Sequence, residues 1–152
     1  MKIVTIIGGS GFVGKSYIDA YNLDFFNKFK IKNINIICRN TKKVKIFKSK
    51  KINLIKGDIS KLKSIPKSDL IIYSADKANL KKIKNSKRFL LKSKKSINNF
   101  CRLVKKMKSV KVLYVSSGAI YNYRKKDLFK KKKLLNRDLY TLIKFYSEEQ
   151  IC

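Results

Sequence analysis

A chain of 152 residues is long enough for one domain with a proper core and too short for two of ordinary size. The absence of His excludes imidazole chemistry, and Cys38, Cys101 and Cys152 share no paired spacing, so neither a disulfide framework nor a metal site is expected and reduced thiols suit a cytoplasmic protein. The net charge of +30 invites a nucleic-acid reading, but it comes from 34 Lys against 5 Arg spread among many Ile and Asn, the mixture an A/T-rich coding sequence yields unaided; non-specific attraction to polyanions is expected and sequence-specific binding is not.

The apolar run Ile3 to Ile7 reads as a buried strand. It drives into Gly8-Gly9-Ser10-Gly11-Phe12-Val13-Gly14 and then an amphipathic segment, Lys15 to Leu23. A strand, a glycine turn and a helix begin a dinucleotide-binding βαβ unit. Two registers fit: Gly9, Gly11 and Gly14 make G-x-G-x-x-G, and Gly8, Gly11 and Gly14 make G-x-x-G-x-x-G. In either, one glycine permits the turn, one lets backbone approach a pyrophosphate, and one seats the helix on the sheet. The unpaired N–H groups at the helix N-terminus would meet the phosphates. The longest apolar runs are five or six residues, too short to span a bilayer, and the N-terminus carries no signal-peptide pattern.

A second strand, Asn33 to Cys38, ends at Arg39-Asn40-Thr41-Lys42-Lys43. An acidic residue here would hold ribose hydroxyls, whereas Arg39 with Asn40 points to the 2′-phosphate of NADP rather than to NAD. A short helix is expected around Val44 to Phe47. The third strand, Ile52 to Lys56, closes on Gly57-Asp58-Ile59, where Asp58 could accept from an adenine amino group or simply end a strand. Pro66 precedes the fourth strand, Asp69 to Ala75, whose small terminal residues Ser74 and Ala75 suit a close approach of backbone to ligand.

From Leu80 to Met107, apolar residues at Leu90, Ile97, Phe100, Cys101, Val104 and Met107 define one helix face, read as core. The fifth strand, Val110 to Val115, ends in Ser116-Ser117-Gly118-Ala119-Ile120-Tyr121. A basic loop, Arg124 to Lys133, leads to a last helix, Asp138 to Ile151. The alternation predicts an α/β fold, a doubly wound parallel sheet of about five strands with ligands at the carboxyl ends. On the last helix Tyr140 and Lys144 stand one turn apart. A phenol titrates near 10, and a nearby ammonium favours the phenolate, so Lys144 would tune Tyr140 as an acid or base. Ser117, at a strand end, would polarise a reacting carbonyl.

The glycine turn, Gly57-Asp58-Ile59, the stretch Tyr114 to Tyr121 and Tyr140-Thr141-Leu142-Ile143-Lys144 together resemble the extended short-chain dehydrogenase/reductase family, the NAD(P)-dependent epimerases and dehydratases. The pattern departs at Ile7, where the family usually has Thr, and at Asn122, where it often has Gly. The resemblance implies a Rossmann-like sheet in the order 3-2-1-4-5. It also implies a catalytic set of Ser117, Tyr140 and Lys144, with Ser117 chosen over Ser116, and a cofactor site of Gly8, Gly11, Phe12, Val13, Gly14, Arg39, Asn40, Asp58, Ile59, Ser74, Ala75, Tyr140 and Lys144. NADP, or else NAD, and a nucleotide-sugar substrate are the implied ligands. Family members continue about as far again, so residues 1–152 are expected to be an NAD(P)-binding domain lacking the later strands and substrate region, its fifth strand an open edge for a second copy or a complementing chain. The alternative is a non-catalytic NADP(H)-binding module or an inactive remnant.

Overall fold

The computed structural model describes residues 2–22, 30–44, 51–76, 86–121 and 135–151. The short β-branched runs pair as β1 (Lys2–Ile7), β2 (Ile31–Cys38), β3 (Ile52–Lys56), β4 (Leu70–Tyr73) and β5 (Lys111–Tyr114). Every pairing is parallel and the order is β3-β2-β1-β4-β5, as expected. Because the chain winds outward from β1 first to one side and then to the other, a crevice opens at the carboxyl ends of β1 and β4. The register brings Ile7 opposite both Ile37 and Tyr73, so three strand ends lie level at that crevice.

Alternation along each strand decides the layers. Val4, Ile6, Ile34, Ile36 and Ile72 pack with Ile18 of α1 (Phe12–Asn22) on one face. Ile7, Ile37, Ile71 and Tyr73 pack with Ile97, Phe100 and Leu103 of α2 (Ser86–Val104) on the other. The ring centroids of Tyr73 and Phe100 are 4.6 Å apart. α3 (Asn136–Ile151) docks on α2 through Leu139, Ile143 and Phe89, and the Tyr146 hydroxyl donates to Asn98 Oδ1 at 2.5 Å. α2 is therefore the platform that sets the position of α3 against the sheet.

Polar groups also cross the sheet on the α2 side. Thr5 pairs with Asn35, and Asn35 with Asn53; Thr5 and Asn35 are buried. Ser68 Oγ donates to the Pro66 carbonyl at 2.7 Å, which leaves Thr5 Oγ1 to donate to Ser68 Oγ at 2.6 Å. Asn35 Nδ2 donates to Thr5 Oγ1 at 3.2 Å, and Asn53 Nδ2 reaches Asn35 Oδ1 at 3.5 Å. Buried polar groups are thus satisfied in series.

Several boundaries differ from expectation. α1 starts at Phe12 rather than Lys15, because the Gly11 carbonyl already accepts from Lys15 N at 3.0 Å. The turn after β2 is a 3-10 helix at Thr41–Lys43, capped by Asn40 Oδ1, which accepts from Lys42 N. Val44 is itself extended and buried in the α1 face; residues 45–47 lie outside the described residues. Met107 lies beyond the end of α2 yet still packs on the core. The start of the predicted segment at Leu80 and the basic loop Arg124 to Lys133 also lie outside the described residues. Among the described residues no helix is long and apolar enough to cross a membrane.

Candidate functional site

β1 hands over to the turn at Gly8, whose φ is +94°. A Cβ there would lie 2.6 Å from the Ser74 carbonyl oxygen and 2.7 Å from Ala75 Cα, so no side chain fits. At Gly14 a Cβ would lie 2.6 Å from the Gly8 oxygen, so its absence lets α1 rest on the turn. Gly9 faces the Ile36 side chain. Gly11 is exposed, and its N–H donates to the Gly8 carbonyl at 2.9 Å. The turn, the open backbone and the helix seat thus fall on Gly8, Gly11 and Gly14. The first-turn amides, from Phe12 onward, have no intrahelical acceptor and lie at the positive end of the helix dipole. Phe12 projects into solvent, and Val13 is half-buried.

From this turn runs a cleft of about 850 Å³, inside the range of roughly 300–1,000 Å³ usual for small-molecule sites. The cradle fits a dinucleotide: exposed Gly11 carries no side chain over the helix start, and the adjoining cleft is long enough to be walled by four strand ends. Arg39, Asn40 and Lys43 stand at the end of β2, Asp58 and Ile59 at the end of β3, and Ser74, Ala75 and Asp76 at the end of β4. Ser74 Oγ donates back to the Ile7 carbonyl at 3.0 Å and ties the β4 end to β1. Arg88, Phe89, Lys92 and Ser93, in the first turns of α2, complete the wall. The core face of α2 is as the spacing predicts; its contribution to the cleft was not legible from that spacing.

Asp58 Oδ1 accepts from Ser60 N at 3.0 Å and from Ser60 Oγ at 2.8 Å, and Oδ2 lies 3.7 Å from Lys92 Nζ. Burial would raise its pKa, but the bonds from Ser60 and the charges of Lys92 and Arg39 together hold it below the ordinary carboxylate value. Asp58 is therefore an acceptor at neutral pH. Asn99 Nδ2 donates to the carbonyls of Ile59 and Leu62 at 2.7 and 2.9 Å, so α2 holds this corner in place.

The second half of the site gathers around Lys144. Its Nζ donates to Asp76 Oδ2 at 2.8 Å and to the Val115 carbonyl at 2.7 Å, and it lies 5.6 Å from the ring centroid of Tyr140 and 4.8 Å from that of Tyr114. The Tyr114 hydroxyl donates to the same Asp76 oxygen at 2.8 Å. The side chains of Lys144 and Asp76 are 4% and 10% exposed, so this is a buried ion pair with a third polar group attached. Burial, and then the charge of Asp76, push the Tyr114 phenol above its ordinary value, which keeps it a donor. The Tyr73 hydroxyl, raised by the same causes, borders the cleft, and it and Ser116 Oγ are buried without a hydrogen-bond partner among the described residues. Ser117 lies just past β5, where its Oγ accepts from Ala119 N at 3.3 Å and caps the 3-10 turn Gly118–Ile120.

The structure thus brings Lys144 close to Tyr140 and to Val115, two residues before Ser117, and ties it to the cleft through Asp76; Ser117, Tyr140 and Lys144 do not themselves line that cleft. Sequence reasoning missed Asp76 and Tyr114. One signal pointed to Asp76: it is one of only nine acidic residues, and it stands directly after the small-residue strand end Ser74-Ala75.

A parallel sheet in this order with a glycine turn at its switch point defines a protein of the Rossmann fold class. The sequence profile of the 3-beta hydroxysteroid dehydrogenase/isomerase family matches residues 5–152, and the chain belongs to that family, within the extended short-chain dehydrogenases/reductases. No curated protein is matched by sequence. Among solved structures, the dTDP-glucose 4,6-dehydratase DesIV of Streptomyces venezuelae, with NAD bound, has a TM-score of 0.75 at 13% identity over 97% of this chain and 50% of its own. TunA, an NAD-dependent NDP-hexosamine 5,6-dehydratase of tunicamycin biosynthesis, has a TM-score of 0.69 at 17% identity over 99% and 48%. WbmF of Bordetella bronchiseptica, in complex with NAD+ and UDP, has a TM-score of 0.67 at 16% identity over 97% and 43%. The chain spans about half the length of these structures.

Proposed function

We propose that this chain is the cofactor-binding part of an NAD(P)-dependent epimerase, dehydratase or reductase acting on a nucleotide-sugar-like substrate. The observation that supports the reading is that Lys144, 5.6 Å from the Tyr140 ring, is paired with Asp76, which lines the cleft into which the glycine turn opens. Gly8, Gly11 and Gly14 admit the pyrophosphate to the amides of the first turn of α1, and Asp58 and Ile59 take the adenine end. The dinucleotide supplies the hydride acceptor or donor when bound. Tyr140 exchanges a proton with the substrate oxygen, Lys144 holds a positive charge beside the phenol and donates to a ribose hydroxyl, and Ser117 turns its hydroxyl to the reacting oxygen.

NADP is the preferred cofactor in this reading, because Arg39 and Lys43 place two cations at the end of β2, where a 2′-phosphate would lie. The DesIV and WbmF structures carry NAD, so the preference is the point to test. The reducing cytoplasm suits the free thiols of Cys38 and Cys101.

A non-catalytic dinucleotide-binding role is the second reading, favoured by the pairing of Lys144 with a carboxylate. Nicotinamide absorbance, followed while the chain is incubated with NADP or NAD and a panel of nucleotide sugars, separates the two. Turnover that Tyr140→Phe lowers by about 10²-fold or more, with dinucleotide affinity unchanged, supports the enzyme. Binding without turnover supports the module, and a chain that binds no pyridine nucleotide refutes both.

A further inference from the structure

The reading above asks Lys144 to carry a charge and to point a donor at a ligand, yet the side chain is buried. A buried ammonium is costly unless it is both paired and hydrogen-bonded. Asp76 supplies the pair, from the turn after β4, and the Val115 carbonyl supplies a second acceptor at the end of β5. Those two strands are hydrogen-bonded neighbours, so both anchors belong to one rigid sheet edge. The Tyr114 hydroxyl steadies Asp76 in turn. An ammonium has three N–H donors, and two are used by these anchors. One is left, on a group whose position two strands determine.

We propose that Asp76 is a positioning residue: together with the Val115 carbonyl it fixes Nζ of Lys144, so that the third N–H of the ammonium is directed at a hydroxyl of the bound dinucleotide's ribose. This deepens the proposed function and rests on it for the identity of the ligand. Asp76 lines the cleft but acts through Lys144, and the distinction from a purely structural carboxylate can be measured.

NADH and NADPH titrations of the full chain, followed by nicotinamide fluorescence, compare four proteins: the native chain, Asp76→Asn, Lys144→Met and the double variant. The expected result is a loss of affinity of roughly tenfold for Asp76→Asn in the native background, the scale of one charge-assisted hydrogen bond, and less than about twofold when Lys144 is already Met. An equal loss from Asp76→Asn in both backgrounds, or none in either, overturns the proposal.

A chain that ignores both nucleotides refutes the proposed function, and the positioning claim is then decided by the lysine Nζ resonances of the 15N-labelled protein. A slowly exchanging Nζ signal, absent in Lys144→Met, is expected in the native chain and is lost in Asp76→Asn. Its persistence in Asp76→Asn, or its absence from the native chain, overturns the claim. Should Asp76→Asn fail to fold by circular dichroism, a scalar coupling across the hydrogen bond from Lys144 15Nζ to the Asp76 carboxylate carbon decides: detection upholds the claim, and absence beside a resolved Nζ signal overturns it.

Discussion

Replacing Gly8 and Gly11 separately by Ala tests whether the turn is built for folding, for binding, or for both. At Gly8, φ is +94° and an added Cβ would come within 2.6 Å of the Ser74 oxygen and 2.7 Å of Ala75 Cα, both backbone atoms that no rotamer change can move aside. Holding a non-glycine residue in the left-handed region costs about 1–2 kcal/mol. The forced shift of β1 against the β4 end adds roughly 1–3 kcal/mol, while the stiffer unfolded chain returns about 0.4–1 kcal/mol. The net loss is about 1–5 kcal/mol, a large share of the roughly 5–15 kcal/mol that holds a domain together. With a urea dependence of about 2 kcal/mol per molar, the unfolding midpoint falls by about 0.5–2.5 M. At Gly11 a Cβ would meet only the Gly8 oxygen, at 3.2 Å, and it would stand in the open mouth of the cradle. Gly11→Ala therefore keeps its midpoint to within about 0.5 M and loses NADPH or NADH affinity by about tenfold or more. Urea unfolding by circular dichroism, paired with the dinucleotide titration, reads both effects. A Gly8→Ala midpoint equal to that of the native chain, or a Gly11→Ala variant that binds as well as native, refutes the reasoning.

The same instruments check two further expectations. Phe100 is 1% exposed and stacks on Tyr73, so Phe100→Ala lowers stability by about 3–5 kcal/mol; a loss under about 1 kcal/mol would mean that α2 does not anchor the sheet as described. Asp58 has a folded-state pKa below its unfolded one, so its contribution is complete above the unfolded value near 4 and is lost as pH falls through the folded value. Urea midpoints taken from pH 6 downwards should accordingly fall less steeply in Asp58→Asn than in the native chain, and parallel profiles would contradict the assignment.

Much of this architecture could be read before any coordinates. The five strands were visible because their β-branched runs are short and bounded by Gly, Pro, Asp or Ser; their alternation with helices implied a parallel sheet, and the strand order came from the family resemblance. The glycine turn and the four-residue spacing of Tyr140 and Lys144 were visible because each is a local pattern with a physical reason. The role of Asp76 was not: a single acidic residue after a strand carries no period, and its partners are 38 and 68 residues away in sequence. Tyr114 looked like strand core, and half of it is. The first turns of α2 were hidden for a related reason, since an amphipathic pattern separates apolar from polar positions but does not tell a solvated lysine from one that walls a cleft. The 3-10 turn after β2 was not legible, because its cap is a side-chain bond from Asn40 that composition does not reveal.

The file of polar side chains from Ser68 through Thr5 and Asn35 to Asn53 carries a consequence for how such an isoleucine-laden sequence finds one alignment. Sliding β2 by two positions against β1 keeps its sidedness, and oily groups that look alike penalise the error little. The Asn35 amide does penalise it: the slip would seat it opposite Ile7 or Ile3, with Thr5 no longer in reach, at a cost of about 1–3 kcal/mol for each stranded group. Where the alphabet offers few distinct shapes, these hydrophilic rivets tell one neighbouring ribbon from its near-copies.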